Sequence, residues 1–145
     1  WGLALDEPRC RMYWAEYGEK AIMRSHLDGG IAEMFIKLSS GPLSMWRSPD
    51  DDMLYWVQDN ARIFRTSLVG DGKVIEEMLT RRSRDSSYDG QRWGIAIDSA
   101  MSPPEVYFSE PRDWTISKQV WGTSRQERPF VADERAVYVP AGVAI

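Results

Sequence analysis

The chain has 145 residues, 43% of them apolar, and a formal net charge of −4. That is the length of one ordinary domain, with enough apolar material for a packed core. The acidic balance argues against nucleic-acid binding by phosphate neutralisation, which needs a basic face, and the local run Arg81-Arg82-Ser83-Arg84, followed by Asp85 and Asp89, reads as a solvated loop.

In chain order, the first predicted strands are Gly2–Leu5, Arg11–Ala15, Ala21–Ser25 and Ile31–Ile36. Asp6-Glu7-Pro8, Tyr17-Gly18-Glu19 and Asp28-Gly29-Gly30 separate them as turns. Asp-Gly before another strand-like run is a hairpin signal, because Gly accepts positive φ. The next four are Leu43–Arg47, Met53–Val57, Arg62–Ser67 and Val74–Leu79, with turns at Ser48-Pro49-Asp50-Asp51-Asp52, Gln58-Asp59-Asn60 and Gly70-Asp71-Gly72. The last four are Trp93–Ile97, Glu105–Phe108, Thr115–Trp121 and Glu127–Val131. Val, Ile, Tyr, Trp and Phe fill these runs, as a half-buried pleated surface prefers. The runs are too short, and too often broken by turn residues, to be helices.

The three groups of four are copies of one frame. Tyr13-Trp14 recurs as Tyr55-Trp56 and returns as Tyr107-Phe108, at intervals of 55 − 13 = 42 and 107 − 55 = 52 residues. Two insertions explain the longer interval: the polar stretch from Thr80 to Gln91, and Ser102-Pro103-Pro104. Without them the spacing is near the ~40–45 residues of a four-stranded propeller blade. The expected fold is all-β: about three four-stranded antiparallel blades of a β-propeller, at roughly residues 1–41, 42–91 and 92–141. Gly142-Val143-Ala144-Ile145 matches Gly94-Ile95-Ala96-Ile97 and starts a fourth repeat. Closed propellers typically have 4–8 blades. Further sequence, or association of copies through open blade edges, is therefore expected to complete the ring.

Chemistry-bearing motifs are sparse. One cysteine, Cys10, cannot form an intrachain bridge, and one Cys with one His, His26, cannot supply a four-ligand zinc site. His26 reads as a solvated turn residue. Asp50-Asp51-Asp52 lacks the alternating spacing of a Ca²⁺ loop and reads as a solvated hairpin. Neither a Gly-x-Ser-x-Gly elbow nor a phosphate or dinucleotide loop is present. No apolar run approaches the roughly 20 residues of a membrane span. No signal peptide is expected, since Trp1-Gly2-Leu3 opens directly on the repeat. No cofactor or metal is expected, and no direct membrane contact.

The frame resembles the YWTD repeat, the class B repeat of the low-density lipoprotein receptor family. The matching residues are Gly2-Leu3-Ala4-Leu5-Asp6, Met12-Tyr13-Trp14, Ile22 with Arg24, and Leu27-Asp28-Gly29 in the first copy. Leu54-Tyr55-Trp56 and Ile63 with Arg65 match in the second, and Gly94-Ile95-Ala96-Ile97-Asp98 and Val106-Tyr107-Phe108 in the third. The Thr-Asp half of the motif is replaced by Ala15-Glu16, Val57-Gln58 and Ser109-Glu110, so the chain is a divergent example. Ser48-Pro49-Asp50 is similar to a turn of soluble, gluconolactonase-like propellers. Tyr13, Trp14, Tyr55, Trp56, Tyr107 and Phe108 are expected to pack between blades, with Arg24 and Arg65 pairing with Glu16 or with rim carbonyls.

The resemblance implies a non-catalytic protein- or ligand-binding module of a receptor-like protein, extracellular or in the ectodomain of a membrane protein. Its partner would be a protein ligand. Trp1 and Trp93, just before inner strands, and Trp114, in a loop, are the candidate ligand-binding residues, since aromatic anchors are frequent hot spots. The alternatives are a soluble propeller hydrolase using a divalent metal, for which Asp6, Glu16, Asp98 and Glu110 are the acidic candidates, and a purely structural scaffold.

Overall fold

The computed structural model describes residues 2–58, 62–70, 74–78, 94–110, 115–123 and 126–131. The tail from 132 onward, with the fourth-repeat start at Gly142, lies outside them, as does the insertion between Thr80 and Gln91. Among the described residues, twelve strands form three four-stranded sheets. The first holds β1 (Leu3–Asp6), β2 (Arg11–Glu16), β3 (Ala21–His26) and β4 (Glu33–Lys37). The second holds β5 (Pro42–Arg47), β6 (Met53–Gln58), β7 (Ile63–Ser67) and β8 (Ile75–Glu77). The third holds β9 (Ile95–Asp98), β10 (Glu105–Glu110), β11 (Thr115–Val120) and β12 (Gln126–Val131). Every pairing is antiparallel between sequence neighbours, so each sheet is a meander. The sequence did not signal the 3-10 turn at Glu7–Arg9, which carries the chain from β1 to β2 and ends on Cys10 in the left-handed region.

The three repeats share one register. Ala4 faces Tyr13, Trp46 faces Tyr55 and Ala96 faces Tyr107, each across the first two strands of a sheet. The side-chain period of 2 then sends Tyr and the following aromatic residue to opposite faces. In the second sheet both faces are covered. Met45, Leu54, Trp56 and the partly buried Phe64 pack with Ala4, Tyr13, Ala15 and Ile22 of the first sheet. Trp46, Tyr55, Val57 and Ile63 pack with Ile95, Ile97, Val106 and Phe108 of the third. Tyr13 and Tyr55 therefore face the following sheet, and Trp56 and Phe108 face the preceding one.

The inner strands converge. A Cβ on Gly2 would lie 2.7 Å from the Met45 backbone nitrogen and 3.0 Å from the Leu43 carbonyl. Only glycine allows β1 and β5 to approach this closely. Consecutive sheets stacked through aromatic faces about converging inner strands are propeller blades.

The arginines on the third strands pair differently from expectation. Arg24 binds Glu33 at 2.6 Å and lies over the Phe35 ring at 4.8 Å. Arg65 binds Glu76 at 2.7 Å and covers Trp121 at 4.3 Å. Their partners are fourth-strand glutamates directly opposite in register, not Glu16 or rim carbonyls, because cross-strand neighbours lie closest.

Candidate binding face and the interblade staples

Antiparallel meanders put alternate connections at opposite ends. One end carries the β2–β3 turn, the β4–β5 connection and the starts of β1, β5 and β9. The other carries the first and third turns of each blade.

At the first end, Tyr17 is exposed at 40%, and its ring lies over Gly41, where a Cβ would come within 2.4 Å of it. Lys20 adopts positive φ, and its amide donates to the Tyr17 carbonyl at 3.1 Å, closing a tight turn. Lys37 Nζ donates to the Glu19 carbonyl at 2.6 Å. Gln58 is buried and accepts from the Ser40 hydroxyl at 2.6 Å, tying the second blade to the loop that enters it. Glu110, at the same repeat position, is buried and accepts a short hydrogen bond from Ser117. Gly2, Gly94, Glu110 and Thr115, the described residues nearest Trp1, Trp93 and Trp114, all lie at this end. The three tryptophans themselves lie outside the described residues. Tyr17 is a loop-end aromatic that the sequence reading passed over. Its signal was an aromatic residue beside Gly18, just past the Tyr13-Trp14 strand, where the pattern does not demand burial.

At the opposite end, the Asp50-Asp51-Asp52 turn is a solvent-facing hairpin, as expected from sequence, but its carboxylates also bind the neighbouring blades. Asp50 accepts from Ser99 of the third blade at 2.5 Å. Asp51 accepts from the Met53 amide at 3.1 Å and the Tyr55 hydroxyl at 2.7 Å. Asp52, at positive φ, accepts from Arg9 of the first blade at 3.0 Å and Arg47 at 3.2 Å. One turn staples both junctions. Arg9 and Arg47 also reach the buried carboxylate of Asp6, at 3.2 and 3.3 Å. Burial, and then the hydrogen bond to Asp51, push the Tyr55 hydroxyl well above its ordinary value, so it stays protonated as a donor.

The hydrogen bond from Arg9 holds the Asp52 carboxyl below its usual 3.8. A depressed folded value contributes stability above the unfolded value and loses it as pH falls through the folded one. The stability difference between wild type and Asp52→Asn is therefore expected to start shrinking as pH falls below about 4 and to be gone only once pH has passed below the lowered folded value. Thermal melts across an acid titration check this, and a difference that stays constant would contradict it.

The four acids weighed for catalysis do not converge. Asp6 and Asp98 end inner strands at one end of the sheets, and Glu16 and Glu110 end second strands at the other. Asp98 accepts from the Ala100 amide at 3.1 Å. Among the described residues, no group of three or more His, Cys, Asp or Glu side chains could hold a metal ion. His26 is exposed and hydrogen-bonds Asp28 at 2.9 Å, and Cys10 is free and exposed. No helix among the described residues is long and apolar enough to cross a membrane.

Comparison with solved structures agrees with this architecture. A chain of a nidogen/laminin complex superposes with a TM-score of 0.68 at 14% identity, over 89% of this chain and 46% of that one. A catalytically inactive virginiamycin B lyase from Staphylococcus aureus, solved with quinupristin, gives a TM-score of 0.61 at 15% identity, over 87% and 39%. The present chain thus spans less than half the length of either. No family model matches it, and no curated protein matches it. The fold is that of β-propeller blades. Within that class, the Tyr-aromatic frame resembles the YWTD repeat.

Proposed function

We propose that these blades form part of a non-catalytic propeller that binds a protein ligand, in a receptor-like protein whose blades lie outside the cell. The observation that carries this reading is the division of labour between the two ends. Acidic groups at one end are engaged in staples between blades. The other end gathers loop connections on a rigid scaffold, with Tyr17 exposed beside Glu16, Glu19 and Lys20. Loops on such a scaffold commonly carry function, and an exposed aromatic among mixed charges suits a protein partner. The likeness to a propeller solved in a nidogen/laminin complex supports the same class of role.

The test is interferometry of the immobilised chain against purified extracellular proteins, laminin included. Saturable binding is expected, with Tyr17→Ala, Trp93→Ala and Trp114→Ala each raising Kd about tenfold or more at unchanged melting temperature. Binding indifferent to all three would remove this end as the site, and no saturable binding would favour a structural scaffold. The lyase likeness supports a second reading, a propeller enzyme, to which the gluconolactonase-like turn at Ser48-Pro49-Asp50 adds the expectation of a divalent metal. A melting temperature raised by millimolar Ca²⁺ or Mg²⁺ would favour it, since a ligand that binds only the folded state stabilises it.

A further inference from the structure

We propose that Asp28-Gly29, in the turn between β3 and β4, is a site of spontaneous isoaspartyl formation, with His26 as the proton donor to the departing oxygen. The chemistry belongs to this turn alone and is independent of ligand binding.

The nucleophile is the Gly29 amide nitrogen. Its N–H donates to the His26 carbonyl at 3.3 Å, long for an amide hydrogen bond, so the turn commits it weakly. Gly29 has no Cβ to shield that nitrogen, and among the described residues nothing lies within 4 Å of the place a Cβ would take. Gly29 and Gly30 both sit at positive φ, 93° and 134°, where glycine moves without steric cost. The electrophile is Asp28 Cγ, and closing the Gly29 nitrogen onto it makes a five-membered ring. The Asp28 side chain is 78% exposed, so it is open to water.

His26 supplies what an isolated Asp-Gly pair lacks. Its Nδ1 lies 2.9 Å from Asp28 Oδ1, which puts an acid on the oxygen that has to leave. An imidazole gains and loses a proton near neutral pH, and a positioned proton donor speeds departure of the group it protonates. The Gly29 nitrogen bonds to Asp28 Cγ as the Cγ–Oδ1 bond breaks. Oδ1 leaves as water, with one proton from the His26 imidazolium and one from the Gly29 amide, and the imidazole is left neutral. Water then opens the cyclic imide. Attack at Cγ regenerates Asp28. Attack at the Asp28 main-chain carbonyl breaks its bond to the Gly29 nitrogen and leaves the backbone running through Cγ. Nothing is oxidised or reduced. The isoaspartyl form lengthens the main chain by one methylene between two strands joined by the Arg24–Glu33 ion pair.

The test is long incubation of the folded chain in heavy-oxygen water. Cleavage at Arg24 and Lys37 then releases the turn, and electron-transfer fragmentation tells aspartyl from isoaspartyl linkages. A heavy oxygen and an isoaspartyl linkage at residue 28 are expected. His26→Gln keeps a hydrogen-bond donor but has no transferable proton, and is expected to slow labelling about tenfold or more. Asp28→Glu is expected to abolish it, since closure would need a six-membered ring. A synthetic peptide of residues 25–37, with the same side chains and no fold, is expected to lose the dependence on His26. Label in the peptide but not at residue 28 of the folded chain would overturn the site. Labelling of the folded chain that ignores His26→Gln, or an equal His26 dependence in chain and peptide, would overturn the role given to the turn geometry.

Discussion

Trp56→Ala is expected to cost about 3–5 kcal/mol of unfolding free energy, the range for truncating a large buried aromatic. Trp56 is fully buried between the first and second sheets. Its ring stacks on Phe64, centroids 5.9 Å apart at 17°. Removing it opens a cavity between two sheets that are stiff to collapse, because their inner strands already touch at Gly2. Trp56→Phe is expected to cost much less. It keeps most of the ring, and it removes an indole N–H that has no hydrogen-bond partner among the protein atoms, a group costly to bury. Trp14→Ala is the internal control. It makes the same chemical change at the same repeat position, but on the outer face, so its cost is expected to be about a third or less of that of Trp56→Ala. Urea titrations compare the three, read as shifts in the midpoint at constant slope. Equal losses for Trp14→Ala and Trp56→Ala would contradict the assignment of opposite faces.

That contrast also shows what the sequence could and could not convey. The strands were legible because each run has the right length, β-branched and aromatic content and bounding turns. Their observed bounds differ from expectation by a residue or two in most cases. The repeat was legible because Tyr13, Tyr55 and Tyr107 recur in one frame. Which face each aromatic takes was not readable, because period 2 gives alternation without saying which neighbour lies on which side. The partners of Arg24 and Arg65 were misassigned for a related reason. Glu33 and Glu76 are distant in the chain and come opposite only once the register of β4 and β8 is fixed. The staple at Asp50-Asp51-Asp52 was hidden altogether. Three adjacent acids look like a solvated turn and nothing more unless Arg9 from one blade and Ser99 from another are known to reach it. Tyr17 was overlooked because it breaks no pattern, and its exposure at the loop end follows from the packing of its ring on Gly41.

Asp6→Ala is expected to cost about 3 kcal/mol, through the two cations it leaves behind rather than the volume it removes. The Asp6 carboxylate is fully buried. It binds Arg9 from its own blade and Arg47 from the next. Arg47 stands where the first and third blades carry Leu5 and Ile97. The pair is therefore one matched exchange: a charge enters the second blade where its siblings are apolar, and the neighbouring blade holds the counter-charge. Removing Asp6 leaves both arginines to share the half-exposed Asp52 alone, at 3.0 and 3.2 Å, with Arg47 still mostly buried. Asp98→Ala, at the equivalent position of the third blade, takes away only a turn hydrogen bond to Ala100 and is expected to cost about 1 kcal/mol. The double variant Asp6→Ala, Arg47→Leu restores the repeat's own apolar pattern and leaves no buried cation from Arg47. Its cost is expected to fall below the sum of the single losses, a coupling that a double-mutant cycle measures directly. Strict additivity would mean that the two side chains stabilise the blade junction independently, against a geometry in which each is the other's reason to be there.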